Sequence, residues 1–496
     1  MPPPWKADGK VATPSRKCFA KNAICKFSLA QKLHLAFRGA AWQNRKAATD
    51  KEQRMLKRKF ADFLMGWKEH HGTECLLVKG ARQIGKTFTI DRFGRENYES
   101  YLCLNFITNP EHREIFRGSL DAGEIFKRLT LAFQDFRLMP GKTLLFFDEI
   151  QNCPAARTAF KPLALDGRAD VIGSGSLLGM TFLDGDRQLQ KERREASVPV
   201  GYERQATMHS LDFEEFLWAL GYREDAVAIL REAFEKEEAL PAAGNARMME
   251  LYREYIAVGG MPRVVVRFLE ENSFSAAFGE QRKIIDANLD DIAKYAPTAD
   301  KPKIRACYLS IPAQLARENA KFKYAAVEHG GSARKFGSSV DWLRESSLAV
   351  KCHNVETPAV PLAAYRRPEC FKLFAGDIGI LAGMMGFEVK ERIVRDTLAG
   401  PAKGGIYENA ALCALVRRGC EPCYYLPKSN LAEVDFLVER NGCVVPIEVK
   451  AGNGPSASFD RMLERRDVEI GYKFVNGNVG RMGKKVTIPH YMAMFL

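Results

Sequence analysis

The segment Gly80-Ala81-Arg82-Gln83-Ile84-Gly85-Lys86-Thr87 follows directly on the apolar run Cys75-Leu-Leu-Val78 and Lys79. A short buried strand, a turn with glycine at both ends and a helix start, in that order, point to an α/β core with a parallel sheet. Successive backbone N–H groups of such a turn converge on phosphate oxygens. Lys86 can then reach the β and γ phosphates, and the Thr87 hydroxyl can hold Mg2+. All eight residues, Gly80 to Thr87, are therefore candidates for binding ATP and Mg2+.

A second run strengthens this reading. Thr143-Leu-Leu-Phe-Phe-Asp148-Glu149 is an apolar strand ending in two carboxylates. Asp148 is placed to bind the Mg2+ through water, and Glu149 to orient and deprotonate the attacking water. A third strand, Ala169-Asp-Val-Ile-Gly-Ser174-Gly-Ser176, ends in hydroxyl residues, and Ser176 is the candidate for sensing the γ phosphate. Ser and Gly after a strand are also ordinary turn residues. The charged stretch Asp184 to Arg194 and the segment Val198 to Arg204 hold the candidates for a catalytic arginine, in cis or from a neighbouring subunit: Arg193, Arg194 and Arg204.

The chain has 496 residues, 46% of them hydrophobic, enough for about three or four compact domains. Its apolar runs are short and interrupted by charge, and no apolar signal-peptide core opens it, so no membrane span and a cytoplasmic location are expected. The net charge of +13 is uneven: residues 1–54 hold 12 Lys and Arg against 3 Asp and Glu, leaving +4 for the rest. The tail reads as disordered, either a nucleic-acid-binding arm or an upstream extension. The 12 cysteines are scattered, as in a reducing compartment, and Cys420-Glu-Pro-Cys423 lacks the second pair of a zinc site.

Residues 210 to 300 read as mostly helical, with Asp212 as a cap and Gly259-Gly-Met-Pro262 as a break, the pattern of a lid over a nucleotide site. Helical candidates near Ile304–Leu315 and Gly337–Ser346, then the strand Leu348–Val355, outline a winged-helix-like segment. Lys321, Lys323, Arg334 and Lys335 would form its basic face, or simply a solvated surface. Glu433-Val-Asp435-Phe-Leu-Val438 and Val444-Val-Pro-Ile-Glu448-Val-Lys450 are strand-like runs joined by a hairpin turn. Alternation puts Glu448 and Lys450 on one face, with Asp435 opposite. Such a set can hold a second Mg2+ or Mn2+ while the lysine orients water against a phosphodiester. Glu408, opening a helix, is a further candidate ligand. Equally, acids and lysines simply decorate the polar side of alternating strands.

On Leu77–Thr87, Phe147–Gln151, Phe371-Lys-Leu-Phe-Ala-Gly-Asp377-Ile-Gly379, Gly405–Asn409, Glu433–Phe436 and Pro446–Lys450, the chain resembles prokaryotic AAA-type ATPases with a carboxy-terminal restriction-endonuclease-like DUF4143 domain. The resemblance covers roughly residues 55 to 496. It implies an endonuclease fold of the PD-(D/E)xK type, with catalytic residues at Asp435, Glu448 and Lys450 and the first helix acid at Glu408. The chain lacks that type's Pro-Asp dipeptide, and has Gly201-Tyr202 where many such proteins have Gly-Arg. The expected organisation is a basic tail (1–54), a P-loop ATPase core (55–208), a helical lid (209–300), a winged-helix-like segment (301–365) and an α/β endonuclease-like domain (366–496). Three functions are compatible: an ATP-driven nuclease acting on DNA, an ATPase whose nuclease-derived domain only binds nucleic acid or a protein, and a nucleotide-gated signalling or defence switch. A homo-oligomer or a protein partner is compatible with each.

Overall fold

The computed structural model describes residues 56–176, 199–318, 320–427, 433–452 and 456–496. The basic tail and the candidates Arg193 and Arg194 lie outside the described residues.

Five parallel strands form the first sheet: β1 (Cys75–Lys79), β2 (Ser100–Asn105), β3 (Thr143–Asp148), β4 (Asp170–Ser174) and β5 (Glu203–Thr207), in the order β2-β3-β4-β1-β5. Helices on both faces bury the central strands, which is why β3 is apolar along its length. The period of two is still visible in what each side chain touches. Leu76, Val78, Leu144 and Phe146 join the core shared with the rest of the molecule, whereas Cys75, Leu77, Leu145 and Phe147 join a separate core with Phe160 and Phe126.

Helices Phe213–Ala219, Glu224–Lys236, Ala242–Val258, Pro262–Glu271 and Phe274–Tyr295 follow β5. Asp212 caps the first in a capping box with Glu215. Gly259, at φ 80°, ends the third, and Pro262 starts the next. Helices Lys301–Leu315 and Ala333–Glu345 then lead into the second sheet.

That sheet has eight strands: β6 (Ala349–Val355), β7 (Arg366–Ala375), β8 (Cys423–Tyr425), β9 (Val434–Arg440), β10 (Cys443–Lys450), β11 (Gly471–Val475), β12 (Gly480–Met482) and β13 (Lys485–Pro489). Their order is β12-β13-β11-β10-β9-β8-β6-β7, with mixed directions. The β9–β10 hairpin turns at Asn441 and Gly442, both at positive φ, as an Asn-Gly turn requires. β6 does form a hairpin with β7, but its other edge pairs with β8, so it is an interior strand of this sheet. A local strand pattern carries no information about a partner some seventy residues further on. One apolar core runs from Leu76 and Ile172 through Tyr252, Ile256 and Ile284 to Phe374, Phe436 and Ile447. Among the described residues, no helix is long and apolar enough to cross a membrane.

Two backbones meet where the helices join the second sheet. A Cβ on Gly379 would stand 2.3 Å from the Val258 carbonyl oxygen, and one on Gly259 would stand 2.5 Å from Gly379 Cα. Only glycine allows that approach. Asp377 seals the junction: its Oδ2 accepts from the Gly260 N–H at 3.0 Å and the Ser210 hydroxyl at 2.7 Å. Its Oδ1 accepts from the N–H groups of Gly379 and Ile380, capping helix Ile378–Met385. Arg417 lies 3.6 Å from the same carboxylate and donates to Ser210 and to the Tyr255 hydroxyl.

Candidate functional site

The turn Gly80–Gly85 carries the chain from β1 into helix Lys86–Asn97. Gly80 is pressed against the residue that follows the adjacent strand β5, since a Cβ there would meet the Met208 carbonyl oxygen at 2.2 Å. From behind, buried Arg58 holds the turn by donating to the Ile84 carbonyl at 2.8 Å while paired with Glu215 at 3.0 Å. Nothing in the run Lys57-Arg58-Lys59 singled out its middle residue.

Lys86 folds its ammonium back over the turn, donating to the carbonyls of Gly80 at 2.9 Å and Ala81 at 2.7 Å. Burial pushes its pKa down to about 8, against the pull of Glu149 and Asp148. A triphosphate in the turn would offer stronger acceptors than two carbonyls. Asp148 lies at the end of β3 with three donors around it. Thr87 Oγ1 donates to its two oxygens at 3.1 and 3.0 Å, Asn105 Nδ2 donates at 2.8 Å, and the Ser174 hydroxyl donates as well. A hydroxyl and a carboxylate side by side are hard oxygen donors, the chemistry that suits Mg2+, so Thr87 and Asp148 fit that ion.

Glu149 follows at φ 55°, a left-handed backbone that costs energy for a residue with a Cβ. Its carboxylate accepts from the Gln151 amide. Arg82 crosses from the turn to helix Phe274–Tyr295: Nε donates to Ser176 Oγ at 3.2 Å, the guanidinium pairs with Asp291, and it lies 4.6 Å from the Tyr295 ring centroid. The structure thus brings Lys86, Thr87, Asp148, Glu149, Arg82 and Ser176 into one connected neighbourhood, and adds Asn105 and Asp291, which sequence reasoning missed. It does not bring Arg204 there. Arg204 stands on edge strand β5 opposite Leu76, with its guanidinium over the Phe63 ring.

The second constellation also assembles. Asp435 on β9, Glu448 and Lys450 on β10, and Glu408 on helix Pro401–Arg417 line a cavity of about 570 Å³. Glu433 lines it too, and Lys372 of β7 enters the cluster from the far edge of the sheet. Lys372 Nζ lies 2.9 Å from Glu408 and 2.6 Å from Glu433. Lys450 pairs with Glu448 at 2.7 Å, and Asp435 Oδ2 accepts the Val449 N–H at 2.8 Å. Burial raises the Asp435 carboxyl well above its ordinary range, and Glu448 and Glu408 push it the same way. Burial opposes a charge on Lys372, yet Glu408, Glu433 and Asp435 hold it well above the ordinary lysine value. Among the described residues, no group of three or more His, Cys, Asp or Glu side chains is placed to hold a metal ion. One oxygen each of Glu408, Glu448 and Asp435, the acids expected as ligands, is already engaged.

Comparison with known proteins assigns a family to the segment that holds the first site. Residues 72–217 match an AAA domain family. This is an AAA-type P-loop ATPase domain. Behind the AAA domain, residues 249–391 match a domain of unknown function, DUF8612, and residues 403–489 match another, DUF4143. No match among curated proteins reaches significance. Solved structures similar to the chain include a Walker-type ATPase of Pyrococcus abyssi, at 13% identity over 68% of this chain and 97% of that one, with a TM-score of 0.40. The Thermotoga maritima RuvB Holliday junction branch migration motor is similar at 13% identity over 66% and 90%, with a TM-score of 0.25. AMPPCP-bound DnaA from Aquifex aeolicus is similar at 12% identity over 57% and 86%, with a TM-score of 0.24. Likenesses this loose carry no argument, and the AAA domain rests on the family match.

Proposed function

We propose that the chain hydrolyses ATP with Mg2+ and that its nucleotide state is relayed to a nuclease-like carboxy-terminal unit that binds DNA. The observation behind the first part is the Thr87–Asp148 contact beside a buried lysine. Lys86 and the N–H groups of the turn bind and orient the phosphates. Thr87 and Asp148 hold Mg2+, which when bound draws charge from the phosphate oxygens. Glu149 accepts the proton of the attacking water, and Ser176, tied to Arg82, stands where the γ phosphate can be sensed. Through Arg82 and Asp291, that contact reaches the long lid helix. Arg204, which faces Phe63, is not the arginine finger of its own chain.

Glu149→Gln should retain ATP binding while lowering turnover by about 10²–10⁴-fold, the usual worth of a general base. Equilibrium binding beside phosphate release checks this, and turnover near that of the wild type would remove Glu149 from the role.

The support for a phosphate-bearing partner is a cavity of about 430 Å³ in whose lining Arg82, Arg344, Lys351, Arg366 and Arg417 outnumber the carboxylates Asp377 and Glu421. Burial, with Lys351 and Arg366 beside it, holds His353 below its ordinary pKa, a sign of local positive potential. Binding without cleavage is favoured over cleavage because Lys372 engages Glu408. Labelled linear, circular and single-stranded DNA incubated with Mg2+ or Mn2+, with and without ATP, should stay intact. Cleavage that disappears in Asp435→Ala would reinstate the nuclease.

A further inference from the structure

A nuclease-type site needs a divalent ion among its carboxylates, and such an ion takes about six oxygens. In the second constellation one oxygen of each carboxylate is already engaged. Lys372 is buried, contributes a full ammonium, and lies within 2.9 Å of Glu408 Oε2 and 2.6 Å of Glu433 Oε1, with the Tyr424 ring centroid 5.4 Å away. Lys450 takes Glu448 Oε1, and a backbone N–H takes Asp435 Oδ2. Among the described residues Glu448 Oε2 is left over, buried and without a hydrogen-bond partner. An ion there would have to share these carboxylates with the two ammonium groups of Lys372 and Lys450, which makes a weak site for a hard cation.

Lys372 also has a structural reason to be there. It comes from β7, at one end of the sheet order, while Glu433 immediately precedes β9 and Glu408 rides on the helix packed behind. The ammonium therefore ties together three elements that a bound ion would otherwise have to gather. A buried ammonium is tolerated only when fully paired, and here the pairing consumes the expected metal ligand Glu408.

We infer that Lys372 is the resident counter-ion of this cluster, standing in the place of a divalent ion and competing with it for Glu408, so that the unit as folded binds metal weakly. This rests on reading the carboxy-terminal unit as nuclease-like, and it is independent of the ATPase.

The test is Mn2+ binding to the nucleotide-free full chain, followed by the loss of the free-ion electron paramagnetic resonance signal. The wild type should bind no more Mn2+ than Asp435→Asn at micromolar concentrations. Lys372→Met, which keeps length and removes charge, should gain one Mn2+ bound at least about tenfold more tightly, as expected when a like charge within contact distance is removed. That gain should vanish in Lys372→Met/Asp435→Asn. An Asp435-dependent ion bound by the wild type in the low micromolar range or tighter overturns the inference, and that comparison stands even if Lys372→Met does not fold. Folded Lys372→Met with no additional ion overturns it as well. ATP hydrolysis by the same wild-type preparation reports separately on the P-loop, so failure there leaves the Mn2+ result readable.

Discussion

Lys86→Ala is expected to weaken ATP binding by at least about a hundredfold and to abolish measurable turnover, because it removes a buried ammonium aimed into the turn. The same lysine predicts a pH dependence. Burial sets its pKa at about 8 in the nucleotide-free protein. The charged form binds phosphate, and phosphate in turn stabilises the charge, so binding takes up a proton above that value. ATP affinity should therefore be level below about pH 8 and decline as the pH rises through it. In the unliganded protein the sign for stability is the reverse. Between about 8 and the ordinary lysine value, the unfolded chain carries more protons than the folded one, so this group's contribution grows as the pH rises. Titration calorimetry across this range in buffers of different ionisation enthalpy would show the proton uptake. ATP affinity unaffected in Lys86→Ala would remove the nucleotide from this turn altogether.

Asp377→Ala should be the most destabilising single substitution outside the apolar core, at about 3–5 kcal/mol. The carboxylate is 6% exposed and accepts from four donors in three separate segments. Without it Arg417, itself buried, keeps its charge and loses the counter-ion. Asp377→Asn, which retains shape and part of the acceptor capacity, should lose less. Amide exchange should accelerate at Gly259 and Gly260, since Asp377 pins the latter directly. Urea unfolding followed by tryptophan fluorescence gives the first number, and a loss below about 1 kcal/mol would show that water replaces the carboxylate. This junction joins the helices that follow β5 to the second sheet, so on the proposed relay its loosening would also interrupt the nucleotide signal.

What was readable from residue order follows the range of the interactions. The P-loop is made by eight consecutive residues, and β3 and β4 are apolar because both their faces are covered. The Asn441-Gly442 turn needs positive φ, which those two residues supply. β5 was not read as a strand, since Glu203-Arg-Gln-Ala-Thr207 is polar and sits at the sheet edge, where nothing demands apolar side chains. The motif Phe371–Gly379 was recognised as a signature without a role. Both its working residues act at a distance: Lys372 on Glu408, 36 positions away, and Asp377 on Gly260, 117 away.

The sequence by itself determined that a phosphate-binding turn sits between a strand and a helix, and that a strand-end acid pair accompanies it. Those features depend on backbone geometry and hydrophobic periodicity within a few residues. Tertiary structure alone decided that Arg82 reaches Asp291, 209 positions away, that Arg204 turns toward Phe63, and that a lysine fills the acidic cluster of the second sheet. A buried charge must find its partner in space, and which partner it finds depends on how distant segments pack.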